Sequence, residues 1–184
     1  MNDNGKNDPL PVKSKEGAES TARALIDSLA HEYGLKVDGK TVNKEFFRCA
    51  GEHGESADDS RFFLDYAVRA PLPEVEHGNA IRAMRKTLEA EGYQISGYRE
   101  DKSKKPWALM DAKGGRDKFS VTVQSSDPPT RLTFIVTTPC YLPPGTKQEQ
   151  VSAPAPDAIA VTPKETRRAT VEPTGAAYPD SPFG

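Results

Sequence analysis

The chain has 184 residues, enough for one domain with a single hydrophobic core but not comfortably for two. Its net charge is -2, with lysine and arginine dispersed along the sequence, so the composition gives no electrostatic signature of a nucleic-acid partner. No apolar run approaches the roughly 20 residues that a membrane-spanning helix needs, and no signal peptide is visible.

The polar residues are concentrated at the two ends of the chain. Residues 1–14 and 146–184 are rich in Pro, Ala, Thr, Glu and Lys and show no apolar periodicity. Such segments bury too little surface to offset the entropy lost on ordering. The sequence therefore predicts a flexible N-terminal tether over 1–14, a single domain over 15–145 and a disordered tail rich in Pro, Ala and Thr over 146–184.

The first predicted element is a helix from Glu16 to about Tyr33. Ser14 is placed to cap its start, and Gly34 is placed to end it in a left-handed conformation. The apolar residues that recur at helical spacing on one face are Ala18, Ala22, Leu25, Ile26, Leu29 and Tyr33.

Two strands are predicted next, over 40–51 and 61–72, with a polar loop between them. A second helix is predicted over 73–91, and Gly92 stands at its end. Its apolar side is predicted to carry Val75, Ile81, Met84 and Leu88.

Three or four further strands follow at short intervals. They are predicted over 93–100, 107–112, 118–125 and 131–140, and residues typical of turns separate them. A run of consecutive strands after a helix favours hairpins rather than parallel crossovers. We therefore predict an α+β fold: a two-layer sandwich in which a mainly antiparallel sheet of about five to six strands carries two helices on one face.

The chain shows no catalytic or metal-binding motif. Its histidines, His31, His53 and His77, do not stand at metal-ligand spacings. Glu74 and Glu76 could face a metal together with His77, but acids at a helix start are explained more simply by the helix dipole. The sequence contains neither a nucleophile elbow nor a phosphate-binding loop. We expect no enzyme activity, no metal and no cofactor.

Two pairs of adjacent phenylalanines, 46–47 and 62–63, occur in the first two predicted strands. Adjacent residues in a strand point to opposite faces of the sheet, so one member of each pair should lie on the face away from the helices. That residue would be exposed, or covered by the tail or by a partner. We take Phe46 and Phe63 as the candidate binding surface for an unidentified protein or small ligand.

The two cysteines, Cys49 and Cys140, lie near the ends of predicted strands. Cys140 continues the row of alternate residues that contains Phe134 and Val136. Cysteines at neighbouring strand ends come within disulfide range, and this bridge would close a loop of about 90 residues. The spacing matches neither a zinc site nor a redox-active pair. We predict a Cys49–Cys140 disulfide and an oxidising, extracytoplasmic setting, with two separate buried thiols in a cytosolic protein as the alternative.

Three segments resemble small secreted lipoproteins of actinobacteria: AESTARALIDSLA, NAIRAMRKTLEAEGYQIS and FIVTTPCYLPPG. The resemblance covers residues 18–145. In such proteins a similar domain is closed by one cysteine in the first strand and one after the last, which match Cys49 and Cys140 here. The resemblance implies a lipid anchor upstream of this chain, but no activity, cofactor or catalytic residue.

Two functions from different classes follow from these observations. The first is a non-enzymatic, extracytoplasmic binding or interaction module associated with the cell envelope, held near a membrane by an anchor outside this chain. The alternative is a cytosolic partner-binding protein of the immunity or regulatory type, with free thiols.

Overall fold

The computed structural model describes residues 9–50 and 57–149. A short 3-10 turn, Glu74–Glu76, precedes the second helix. In chain order the helices and strands are α1 (Lys15–Glu32), β1 (Asp38–Arg48), β2 (Phe62–Pro71), α2 (His77–Ala90), β3 (Tyr93–Glu100), β4 (Ala108–Gly114), β5 (Phe119–Ser125) and β6 (Arg131–Thr137).

The strands form one six-stranded sheet in the order β1-β2-β6-β5-β4-β3, and every neighbouring pair is antiparallel. Helix α2 carries the chain from β2 to the far edge, and three successive hairpins then return it to the side of β2. Both helices pack against the sheet on the same face. The predicted α+β sandwich is thereby confirmed.

The core lies between the helices and the inner face of the sheet. Every second residue of β2, β4, β5 and β6 is buried there, and α1 and α2 supply the opposite wall. Each large apolar side chain so buried contributes about 1.5–3 kcal/mol. The largest fully buried residues include Ile26, Leu29, Leu64, Ile81, Met84, Leu88, Phe119 and Phe134.

Three predicted helix-end residues are confirmed, and one predicted buried residue of the second helix is not. Ser14 Oγ accepts a hydrogen bond from Gly17 N at 3.0 Å, and Gly34 and Gly92 have φ values of +68° and +84°. Val75, however, is 76% exposed, so its predicted place on the buried side of the second helix is wrong. Residues 74–76 form a 3-10 turn, whose three-residue repeat breaks the helical periodicity. His77, which is fully buried, is the first inward residue instead.

Hydrogen bonds reach beyond both predicted domain limits, residues 15 and 145. Leu142 N donates to Pro11 O, and Lys13 N donates to Leu142 O, both at 3.0 Å. Leu10 N donates to Gln148 Oε1 at 2.8 Å. Short segments that pair through their backbones satisfy polar groups without an apolar pattern, which explains why periodicity does not reveal them. The remainder of the predicted tether and tail, residues 1–8 and 150–184, lies outside the described residues.

Candidate interaction surface

The predicted disulfide is present. Cys49 follows β1 and Cys140 follows β6, and their Cα atoms are 6.1 Å apart. The start of β2 lies between them, since Cys49 N donates to Arg61 O at 3.3 Å and Tyr141 N donates to Phe62 O at 2.7 Å. The alternative of two free thiols is therefore wrong. A disulfide indicates an oxidising, extracytoplasmic environment.

A buried ion pair lies beside the disulfide. Asp59 and Arg61 are each only 7% exposed, and Arg61 Nε donates to Asp59 Oδ1 at 2.8 Å. This hydrogen bond from Arg61, helped by the backbone N–H groups of Glu149 and Arg61, lowers the pKa of Asp59 to about 2. Arg61 also donates to Glu149 O at 2.7 Å. The pair therefore fixes the chain at residue 149 against the start of β2, which is a structural role.

The candidate metal ligands do not converge. His77 is buried, with Nε2 3.0 Å from Leu72 O, and its ring lies parallel to that of Trp107 with centroids 6.0 Å apart. Glu76 accepts a hydrogen bond from the Tyr33 hydroxyl at 2.9 Å. Over residues 9–50 and 57–149, no three His, Cys, Asp or Glu side chains come together in a way that could hold a metal ion.

The structure separates the two predicted surface residues. Phe63 lies on the face away from the helices, but Phe46 pairs with Leu64 and points to the inner face. There its ring meets Phe62 edge-on, with centroids 5.7 Å apart. Phe47 is the residue that joins Phe63: their rings stack at 5.2 Å, and Phe47 is 39% exposed. Alternation predicts that neighbouring residues of a strand point to opposite faces of the sheet. Which of the two faces the helices depends on the register of that strand against the next one.

The face of the sheet opposite the helices, here called the outer face, runs across all six strands. None of its side chains is buried. It is built from Asn43, Glu45 and Phe47 of β1; Phe63, Asp65, Ala67 and Arg69 of β2; Arg131, Thr133, Ile135 and Thr137 of β6; Ser120, Thr122 and Gln124 of β5; Leu109, Asp111 and Lys113 of β4; and Gln94, Gly97 and Arg99 of β3.

Hydrogen bonds between strands position two carboxylates on the outer face. Thr137 Oγ1 donates to Asp65 Oδ1, and Thr122 Oγ1 donates to Asp111 Oδ1, each at 2.5 Å. Ile135 pairs with Thr122 and lies two residues before Thr137 in β6, so it adjoins both hydrogen-bonded pairs. Each threonine hydroxyl occupies only one of the acceptor sites of the carboxylate it binds. The remaining lone pairs of Asp65 and Asp111 can accept hydrogen bonds from a partner.

Gly97 makes room for one of these carboxylates. It pairs with Asp111 across a register irregularity in β3, and a Cβ atom at position 97 would lie 2.8 Å from Asp111 Oδ2. The Asp111 side chain thus extends over the bare backbone of the edge strand. A glycine inside a strand often marks such a close approach, so Gly97 is the feature of the sequence that indicates this carboxylate.

A second surface lies at the opposite end of β2 from the disulfide. The loop after β2 and the loop between β5 and β6 are joined there, because Leu72 N donates to Thr130 O at 3.1 Å. They form a cleft of about 510 Å³ that is open to solvent. Its lining is mostly apolar, and it consists of Pro71, Leu72, Pro73, Glu74, Pro129 and Thr130.

Neither helix of the described chain is long and apolar enough to cross a membrane. Comparison of the whole chain with family models, with curated proteins and with solved structures found no match in any of the three.

Proposed function

We propose that this protein is a non-enzymatic binding module of the cell envelope, held near a membrane by an anchor outside this chain. It meets a protein partner through the outer face. The observation that carries the proposal is the contrast between the two sides of one sheet. The inner face is covered by both helices, whereas the outer face keeps every side chain at least partly exposed, including the stacked pair Phe47 and Phe63.

The disulfide supports the extracytoplasmic location in this proposal. Disulfides persist in secreted and envelope proteins, whereas cytosolic thiols are kept reduced. The bond between Cys49 and Cys140 spans 91 residues of the chain, so it encloses most of the domain. A crosslink of this span stabilises the fold only where the environment keeps it oxidised.

The shape and chemistry of the outer face support a protein partner. A sheet face is broad and shallow, whereas small-molecule sites are concave and enclose most of their ligand. Aromatic residues are enriched in protein interfaces, and Phe47 and Phe63 offer a stacked pair at one side of the face. Ala67, Ile135 and Leu109 add apolar surface, while Asp65 and Asp111 offer fixed hydrogen-bond acceptors.

Site-specific photo-crosslinking in the native cells tests the binding surface. A photoreactive residue at position 135 should give a discrete crosslinked product. The same residue at position 86, exposed on α2, should not. Crosslinking that is absent from position 135, or that is equal at both positions, would reject the outer face as the binding surface.

Alkylation of unreduced protein taken directly from cells tests the compartment separately. Trapping with a thiol reagent should leave Cys49 and Cys140 unmodified, because both are oxidised in the disulfide. A mass increase of two alkyl groups without prior reduction would reject the extracytoplasmic assignment and favour a cytosolic partner-binding protein.

A further inference from the structure

The outer face has the extent of a protein–protein interface. Six strands spaced about 4.8 Å apart span about 25 Å, and seven residues of strand span about 23 Å. The face therefore covers about 600 Å². Stable complexes bury about 600–1,000 Å² on each partner, so the outer face alone reaches the lower end of that range.

Its side chains are arranged as in the centre and the rim of an interface. The residues of the middle row are mostly short, and they include Ala67, Ile135 and Thr122; Thr137 and Ser120, also short, lie one row nearer a strand end. Long charged side chains stand on the edge strands or near strand ends; they are Glu45, Arg69, Arg99, Lys113 and Arg131. Short central side chains allow a second sheet to approach to about 10 Å, the usual spacing of packed sheets.

The charges of the outer face suit a copy of the same face. Acidic and basic side chains are both present in nearly equal number: Asp111 lies in the middle row, and Asp65 lies in the same row as Lys113, with two strands between them. A face of one sign would repel its own copy, whereas a face of mixed sign can pair acids with bases across a twofold axis.

We propose that the outer face binds a second copy of this chain. The product is a twofold dimer in which two sheets pack face to face between two outer layers of helices. This inference rests on the proposed function, because it names the partner of the same surface.

Analytical ultracentrifugation of the purified, oxidised full chain over a concentration series tests the dimer. The weight-average mass should rise from that of one chain to that of two. In the Ile135→Arg variant, two charges would be buried at the centre of the dimer, and the dissociation constant should rise at least about tenfold. Thr122→Arg, one strand away, should act in the same way.

Controls separate loss of the dimer from loss of the fold. Lys86→Glu, on the exposed side of α2, should leave the dissociation constant unchanged. Circular dichroism should show the same spectrum for all variants, because Ile135 and Thr122 are not buried in the single chain. A wild-type protein that stays monomeric throughout, or arginine variants that dimerise as wild type does, would overturn the inference.

The crosslinking experiment distinguishes this inference from the proposed function. A product at position 135 with twice the mass of the chain supports both. A product that contains a different protein, while the purified chain stays monomeric, leaves the proposed function standing and rejects the dimer. No product at position 135 and no dimer in solution would reject both.

Discussion

Strands β6 and β1 are connected through the disulfide, yet they differ in how they are held in the sheet. β6 lies between β2 and β5 and buries every second residue. β1 lies at the edge, pairs only with β2, and has no buried residue among its eleven. Side-chain burial thus stabilises β6, whereas β1 depends on its backbone ladder, on the partly buried Phe46 and on Cys49. The disulfide ties an exposed edge strand to a buried central one.

The largest contrast should appear when one aromatic ring is removed from each strand. Phe134 of β6 is fully buried, so Phe134→Ala should lower the free energy of unfolding by about 3–5 kcal/mol. Phe47 of β1 is 39% exposed, so Phe47→Ala should cost about 1 kcal/mol or less. Urea unfolding under oxidising conditions measures both. Equal losses would show that β1 is held by side-chain burial after all.

Removal of the disulfide should have the next largest effect. The double variant Cys49→Ser with Cys140→Ser opens a loop of 91 residues and should lower the free energy of unfolding by about 2–4 kcal/mol. Hydrogen exchange should also accelerate more in β1 than in β6, because β1 is an edge strand with no fully buried side chain.

Reduced wild-type protein is the control for the disulfide variant. It should match the double variant in both unfolding free energy and exchange pattern, since both lack the crosslink. If β1 and β6 lost protection equally, the bond would stabilise the domain only as a whole and not the edge strand in particular.

The Asp59–Arg61 pair should have a smaller effect, and one that depends on pH. Arg61 O accepts the hydrogen bond from Cys49 N, so the pair lies directly behind the end of β1. The hydrogen bond from Arg61 lowers the pKa of Asp59 to about 2. Because the pKa is lower in the folded state, the stabilisation is complete above about pH 4 and is lost as pH falls through 2. Asp59→Asn should cost about 2 kcal/mol at neutral pH.

Urea unfolding between pH 2 and pH 7 measures this effect. Asp59→Asn should also flatten the decline in stability between about pH 4 and pH 2. The matched control is Asp58→Asn, since Asp58 is the exposed neighbour and should keep the wild-type profile. A steep acid decline that persists in Asp59→Asn would assign it to other carboxylates.

Features set by local pattern could be predicted from the sequence. The apolar spacing of α1 and the alternation in β5 and β6 each lie within a single element, so both helices, the strands and the fold class were accessible. The disulfide was accessible because the chain has two cysteines, both near predicted strand ends, which leaves one pairing. The predicted row of Phe134, Val136 and Cys140 is wrong at its last member, because β6 ends at Thr137 and Tyr141, not Cys140, pairs with the inward Phe62.

Features set by pairing between distant segments could not be predicted in the same way. Alternation separates Phe46 from Phe47, but only the register of β1 against β2 turns Phe46 inward and leaves Phe47 beside Phe63. The bonds between Pro11–Lys13 and Leu142 join segments about 130 residues apart and leave no periodic trace. The candidate surface was therefore half predicted: Phe63 belongs to it and Phe46 does not.

The smallest expected effect concerns the ion pair between β1 and α1. Lys44 Nζ lies 2.7 Å from Glu19 Oε2, but the two side chains are 46% and 30% exposed. Water and salt screen such a pair, so Lys44→Ala should cost about 0.5 kcal/mol or less and should cost nothing measurable at high salt. Urea unfolding at low and high ionic strength measures this, with Lys86→Ala on the free side of α2 as the control. A loss that rivals that of the disulfide variant would mean that β1 is anchored to the helix layer by charge, and the covalent bond would then be secondary.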